Sequence, residues 1–355
     1  MCKRIFANQT SEQGDVPFFK IGTIGGTPDA YITRDLFEEY KVKYNYPHEG
    51  EVMITCAGTV GKTIVFDGED AYFQDSNIVW LSNPKQLYIN SFLNYVLSRV
   101  NWNKLNSTTI TRIYNDNLRE LVINYPSIKE QEKIVALLSL LDRRIAIQNK
   151  VIEDLKKLKT ALEERMLGQC QGKQVRLRDI LIERVEKSRI NNQYEVLSST
   201  VSGIYSQREY FNKEIASADN TGYKAIHRGD VVLSPQNLWM GNINYNDRFE
   251  IGIVSPSYKV FSIDEKFDKG YIAFLLKTRK ALWAYSLVSE QGASIVRRNP
   301  NYESFLEISF VIPSLKEQQA TARRLSAFKQ KHTMEEAFLR SLLLQKEFML
   351  KSLFI

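Results

Sequence analysis

Several short stretches of the chain carry residue types that could do chemistry. Residues 56–63 (CAGTVGKT) come within one residue of the phosphate-cradling pattern G-x-x-x-x-G-K-[ST]. Cys56 stands where that pattern has its first glycine, and the β-like run Thr63-Ile64-Val65-Phe66 follows it. A phosphate loop needs a helix N-terminus aimed at the anion, so this stretch reads as a Gly-rich hairpin with a basic tip. Asn299-Pro300-Asn301-Tyr302 approaches the N-P-P-Y adenine-methylation motif, but its third residue differs and no F-x-G-x-G cofactor loop accompanies it. Pro28-Asp29 followed by Glu39-Tyr40-Lys41 mimics a metal-nuclease pattern, yet Glu39 falls on a predicted helix rather than a strand. His48 and His227 recur at matched turns without partner ligands, which argues for structure. The sequence holds no triad, metal-ligand cluster or catalytic carboxylate pair, so a binding role is expected, with no cofactor or metal of the chain's own.

Two polar loops offer a different chemistry. Residues 106–112 (NSTTITR) and 291–298 (QGASIVRR) mix hydroxyls, amides and arginines. Arginine reads guanine bidentately, Asn and Gln read adenine, and hydroxyls reach bases or phosphates. The candidate contacts are Thr108, Thr109 and Arg112 in the first loop and Ser294, Arg297 and Arg298 in the second. Thr59 and Lys62 join them from the Gly-rich hairpin, and Gln236, Asn237 and Asn242 from the stretch QNLWMGN. A net charge of +7 and a pI near 9.0 suit a polyanionic partner. Solvated surface arginine remains the alternative for any one of these residues.

The elements that must position these loops occur twice. Residues 126–167 and 313–354 open alike, PSIKEQ and PSLKEQ, 187 residues apart, and each lacks Pro and Gly after its first turn. Ser127 and Ser314 offer capping hydroxyls, with Glu130 and Glu317 three residues on. The first helix, predicted over 129–167, is a rod of roughly 58 Å at ~1.5 Å per residue. Its apolar residues keep a heptad: Ile134, Leu138, Leu141, Ile145, Ile152, Leu155, Leu162 and Met166, interrupted by Gln148 and Lys159. The second rod carries Leu325, Phe328, Leu339, Leu342, Met349 and Leu353, with Glu335 and Lys346 at the equivalent polar positions and His332 on the same seam. Pairing of the two rods with each other, antiparallel, is favoured by effective concentration.

Ahead of each rod lies a mixed α/β region, and the two match in outline. His48-Glu49-Gly50-Glu51-Val52 corresponds to His227-Arg228-Gly229-Asp230-Val231, residues 77–81 to about 257–261, and 89–100 to about 271–282. The frame repeats while the loops differ, as two readers of different half-sites would require. The fold expected is α+β: two tandem mixed domains, 1–125 and 171–312, each followed by a long helix, 126–170 and 313–355, with the helices pairing as an antiparallel coiled coil. The first copy has no counterpart of residues 173–183, so either it is shortened or the second copy supplies that edge. Cys2, Cys56 and Cys170 are scattered and odd in number, which predicts a reducing cytoplasm and no disulfide framework. No apolar run reaches membrane-spanning length.

A mixed domain ending in P-S-(I/L)-K-E-Q, then a long helix, then the whole plan again, resembles the specificity subunit of Type I restriction-modification enzymes. The residues carrying the resemblance are Pro126, Glu130, Gln131, Ile134, Leu138, Asp142, Ile152, Leu155, Leu158 and Lys159, and then Pro313, Glu317, Gln318 and Leu325. The second rod departs from the pattern with Thr321 in place of Ile134 and Lys329 in place of Asp142. The resemblance implies a non-catalytic DNA-binding subunit whose two target recognition domains read a bipartite double-stranded site. The rods would act as a ruler and dock two DNA methyltransferase subunits, joined by restriction subunits, and S-adenosylmethionine would be bound by the methyltransferase. The alternatives are a reader for a combined cleavage and methylation enzyme, or a coiled-coil bridging protein that binds no DNA.

Overall fold

The computed structural model of the chain describes residues 1–102, 112–211, 219–291 and 298–354. It divides into two compact units, residues 1–148 with 338–355 and residues 149–337, so both long helices cross from one unit to the other.

In the first unit the elements run β1 (Val16–Phe19), β2 (Tyr31–Ile32), α1 (Arg34–Lys43), β3 (Val52–Thr55), β4 (Thr63–Val65), β5 (Tyr72–Phe73), β6 (Ile78–Leu81), α2 (Asn90–Arg99) and α3 (Asn115–Arg119), before the rod α4 (Ile128–Gly168). One sheet has the order β2-β1-β5, the other β4-β3-β6. Strand β3 is central and buried along its length, which its run Val52-Met53-Ile54 requires of a strand covered on both faces. Helix α1 starts where Thr33 accepts from the Leu36 N–H, and it carries Glu39 and Lys41. The nuclease-like pattern therefore lies on a helix surface, where Glu39 pairs with Lys43 at 3.0 Å and Lys41 with Asp70 at 3.2 Å.

The second unit contains β7 (Lys173–Arg176), α5 (Leu177–Ile180), β8 (Leu181–Glu183), β9 (Leu197–Thr200), β10 (Gly203–Ser206), α6 (Gln207–Phe211), β11 (Lys224–His227), β12 (Val231–Leu233), β13 (Ile243–Tyr245), β14 (Ile251–Val254) and β15 (Lys259–Ile263). It continues with α7 (Lys269–Leu275), α8 (Arg279–Leu287), β16 (Ser289–Gln291), β17 (Arg298–Pro300), α9 (Tyr302–Glu307) and β18 (Ser309–Ile312), before the rod α10 (Leu315–Leu353). Its main sheet has the order β13-β12-β15-β8. The first three of these strands repeat β4-β3-β6, and β8 is the addition. β7 pairs with β18, so this segment completes an edge within its own unit and does not serve the first. Residues 271–282, the counterpart of 89–100, fall on two helices where the first unit has one, because Thr278 caps a fresh start by accepting from the Ala281 N–H. Asn301 likewise caps α9, which makes Asn299-Pro300-Asn301-Tyr302 the lead into a helix.

The matched histidine turns are structural. His48 and His227 donate their backbone N–H to Glu51 and Asp230, at 2.9 and 2.8 Å, across turns whose glycines sit at φ +82° and +96°. The rod-opening motif has a similar reason. Gln131 is fully buried: its amide nitrogen donates to the Pro126 carbonyl at 2.9 Å, and its oxygen accepts from the Ile89 N–H at 2.8 Å, just ahead of α2. Gln318 repeats this with the Pro313 carbonyl and the Asp268 N–H, each at 2.9 Å, just ahead of α7. The glutamine of each P-S-x-K-E-Q thus ties the rod to the helix it packs beside. At the second rod the predicted capping pair closes, with the Ser314 hydroxyl donating to Glu317 at 2.7 Å and holding that carboxyl below its usual range. At the first rod Glu130 pairs with Lys133 at 3.1 Å.

Burial along the rods follows the predicted seam. Leu138, Leu141, Ile152, Leu325 and Leu342 are buried, and Ile134, Ile145, Leu155, Phe328 and Leu339 are half-buried. Within the first unit the two helices run antiparallel, since Arg144 lies over the Phe338 ring while Asp142 pairs with Lys346 at 2.5 Å. Within the second, Leu162 and Met166 pack into the core that also holds Ala322 and Leu325. Of the polar seam positions, Gln148 is buried, while Lys159 pairs with Glu163 at 3.6 Å and Glu335 with Lys331.

Candidate nucleic-acid interface

The Gly-rich stretch of the first unit is the loop of the β3–β4 hairpin. The Thr55 hydroxyl closes it, donating to the Thr59 carbonyl and accepting from the Lys62 N–H at 3.0 Å. Gly61, at φ +83°, admits no side chain, because a Cβ there would lie 2.1 Å from Trp102 Cδ1. The absence of a following helix follows from β4 and rules out a phosphate cradle in this loop. Thr59 is exposed. Lys62 turns inward, donating through Nζ to the Ile24 carbonyl.

Arg112 and Ile113, at the end of the polar stretch, lie on the same hairpin. The Ile113 N–H donates to the Cys56 carbonyl at 2.9 Å, while the Cys56 N–H donates to Asn77 at 2.7 Å. Arg112 donates to the Ser76 carbonyl at 3.2 Å and lies over the Tyr114 ring. The exposed loop tip with Thr59 and the arginine at the end of the second loop are therefore joined through Cys56. Burial pushes the Cys56 thiol up to about 11, against the opposing charge of Arg112, so it is a neutral anchor rather than a nucleophile. Thr108 and Thr109 lie outside the described residues.

In the second unit the corresponding loop forms a 3-10 helix at Pro235–Met240, ended by Gly241 at φ +88° against Leu282. Gln236 is exposed and Asn237 half-buried. Arg298, at the start of β17, lies with its guanidinium 4.4 Å above the Trp239 ring centroid. Here too an arginine at the end of a polar stretch lies against the loop that follows the central strand. Ser294 and Arg297 lie outside the described residues.

Asn242 requires a correction. It is 3% exposed, and its amide is held by Ser199: the Ser199 hydroxyl donates to Oδ1 at 2.7 Å, and Nδ2 donates to the Ser199 carbonyl at 2.9 Å. Asn244 adds a bond from Nδ2 to the Ser199 hydroxyl at 2.7 Å. A side chain with its hydrogen-bonding groups engaged inside the fold cannot read a base edge, so Asn242 supports the loop from beneath. Two residues beside this loop were not singled out in the sequence. Trp239 was legible only as an aromatic in a polar stretch. Lys277 donates to the Gly241 and Val201 carbonyls at 2.8 and 3.1 Å, pinning the turn, and burial lowers its ammonium to about 8. Nothing in the local sequence marks that lysine.

Among the described residues no group of three or more His, Cys, Asp or Glu side chains could hold a metal, and no helix is long and apolar enough to cross a membrane. Residues 1–157 match the family described as Type I restriction modification DNA specificity domain. Over 155 residues the chain is 49% identical to a Haemophilus influenzae protein named as a type I restriction enzyme specificity subunit, a match that spans 44% of this chain and 40% of that relative's length. The crystal structure of the S subunit of a Type I restriction-modification system from M. genitalium aligns with all of this chain and 92% of its own, at a TM-score of 0.58 and 17% identity. A chain from a structure of complex assembly and conformational transition in the type I R-M system aligns over 95% of this chain and 90% of its own, at a TM-score of 0.55 and 12% identity. Residues 1–157 thus match the Type I restriction modification DNA specificity domain, and along its length the chain shares the fold of solved Type I S subunits.

Proposed function

We propose that the chain is the sequence reader of a Type I restriction-modification complex, with no catalysis of its own. The observation that carries this reading is the repeated frame with unlike loops. β4-β3-β6 and β13-β12-β15 are the same three-strand unit, and each presents a hairpin loop beside an arginine, Thr59 with Arg112 in one and Gln236 with Arg298 in the other. Residues 1–125 and 171–312 are the two target recognition domains, and each reads one half of a bipartite double-stranded site. Exposed loop residues take the base edges and phosphates, with Thr108, Thr109, Ser294 and Arg297 in the same loops; Lys62 joins them on release from its carbonyl.

The rods, 126–170 and 313–355, fix the gap between half-sites, since spacing is set by the separation of the readers. They also dock the partners. Besides the buried seam, α4 carries a second apolar stripe at heptad spacing, exposed at Leu137, Leu140, Ile147, Val151 and Leu158. An exposed stripe of this size suits helices of another subunit. Two methyltransferase subunits binding there, with S-adenosylmethionine in their own sites, would flip and methylate an adenine in each half-site, and restriction subunits would join them. Mapping methylated adenines on DNA exposed to the chain with its methyltransferase tests the reading: two short blocks separated by one gap length are expected, and a single contiguous block contradicts it.

A further inference from the structure

A further turn stands beside the candidate reading loop of the second unit. Strands β9 and β10 are joined through Val201 and Ser202 alone, with Thr200 paired to Gly203. The main-chain oxygens of this turn are held from within. Lys277 donates to the Val201 carbonyl at 3.1 Å and to the Gly241 carbonyl at 2.8 Å, so one ammonium ties the turn to the end of the 3-10 loop. Asn244 Nδ2 donates to the Thr200 carbonyl at 2.7 Å, and it also meets Asn242 Oδ1, just past that loop, at 3.3 Å. The first unit repeats the placement with another lysine. β1 lies parallel beside β5, as Val196 at the start of β9 lies beside Ile253 of β14. In the turn after β1, the Ile24 carbonyl accepts from Lys62 of the hairpin loop. Lysines from unlike positions thus bring a turn against the reading loop in both copies.

With its carbonyls engaged, the β9–β10 turn presents two side chains outward: Val201 is 48% exposed, and Ser202 is exposed. Counting hydrogens fixes what Ser202 offers. The Thr200 hydroxyl has a single hydrogen, which it donates to the Gly203 carbonyl at 3.1 Å. The Ser202 hydroxyl, 3.0 Å from that of Thr200, is therefore the donor of the pair, and the Ser202 N–H also donates to Thr200 at 3.2 Å. The lone pairs of Ser202 Oγ remain as acceptors, and among the described residues no group donates to them. The tip is an acceptor beside a branched apolar side chain, with no charge of its own.

We infer that the β9–β10 turn is a further specificity element of the second unit and reads an A·T base pair in the major groove. Ser202 Oγ accepts from the adenine N6 amino group, and Val201 packs on the thymine methyl. Of the base pairs, only A·T shows an amino donor and a methyl group on its major-groove edge; G·C offers the amino group of cytosine but no methyl. An acceptor gains nothing from a phosphate oxygen, so the turn adds selectivity rather than general affinity. The inference rests on the reader function proposed above.

The test is DNA binding by the complex assembled with its methyltransferase, at fixed salt, on duplexes that vary each position of both half-sites. One A·T position in one half-site is expected to depend on this turn. Ser202→Ala should lower discrimination against G·C there about fivefold or more. Replacing the thymine of that pair by uracil should weaken binding by the native complex about fourfold, the worth of one buried methyl group, and should leave binding by the Val201→Ala complex unaffected. If neither variant changes the preference at any position, or if both weaken binding equally on all sequences, the inference is overturned while the reader function stands. A native complex that prefers no pair of separated blocks overturns both.

Discussion

At the scale of single residues, the two arginines beside the hairpin loops differ in how they are held. Arg112 is tied to the Ser76 carbonyl, whereas Arg298 rests on the Trp239 ring. A guanidinium stacked on an indole is held through its face and not through its N–H groups, and of these groups the Arg298 Nε is buried. Replacing Arg297 and Arg298 together by Ala should weaken DNA binding by the assembled complex by about tenfold or more, in line with ~1–3 kcal/mol for a bidentate base contact, without dissociating the complex. Unchanged affinity and sequence preference would contradict the assignment of these loops. Lys277 gives a second prediction at this scale. Burial lowers its folded-state value from 10.5 to about 8. Between these two values the unfolded chain binds the extra proton, so stability from this group rises as pH rises through the window and is lowest below it. Native stability measured by urea unfolding, relative to Lys277→Met, should therefore increase from about pH 7.5 to about pH 9.5; a flat or falling difference would contradict this account of the turn.

At the scale of elements, the glutamine clamps give the rod-opening motif its physical meaning. Gln131→Ala leaves the Ile89 N–H and the Pro126 carbonyl without their partner in a buried site. A loss of about 1–3 kcal/mol per unsatisfied group is expected, read as a lowered denaturation midpoint; a change within the noise of a surface substitution would show that the clamp is not structural. The elements themselves were largely legible in the sequence. The rods, their heptad seam, β3 with its hairpin and the helix α1 follow from periodicity and turn chemistry, which are local. What escaped depends on contacts between distant residues. The break between α7 and α8 turns on whether Thr278 bonds forward, and the addition of β8 to β15 cannot be seen from a strand's own residues. Asn242 looked like a reader because it sits in a polar loop, and only the position of Ser199, 43 residues away along the chain, shows that its amide is engaged.

At the scale of the whole molecule, the chain repeats one plan twice and varies it in two places, the loops and one strand edge. The loop differences suit a reader of two unlike half-sites. A net charge of +7 over both copies fits a protein that approaches DNA first through phosphates, so binding should weaken steeply with salt. On the proposed function, the rods set the separation of two readers. The most direct measurement is a map of methylated adenines laid down by the complex with the native chain and with a chain lacking one heptad in each rod. Seven residues are roughly 10 Å of helix, or about three base pairs at ~3.4 Å each. The account predicts a bipartite motif of constant gap for the native chain and the same half-sites with a gap about three base pairs shorter for the variant. An unaltered gap, or no methylation from a complex that assembles intact with the native chain, would contradict it.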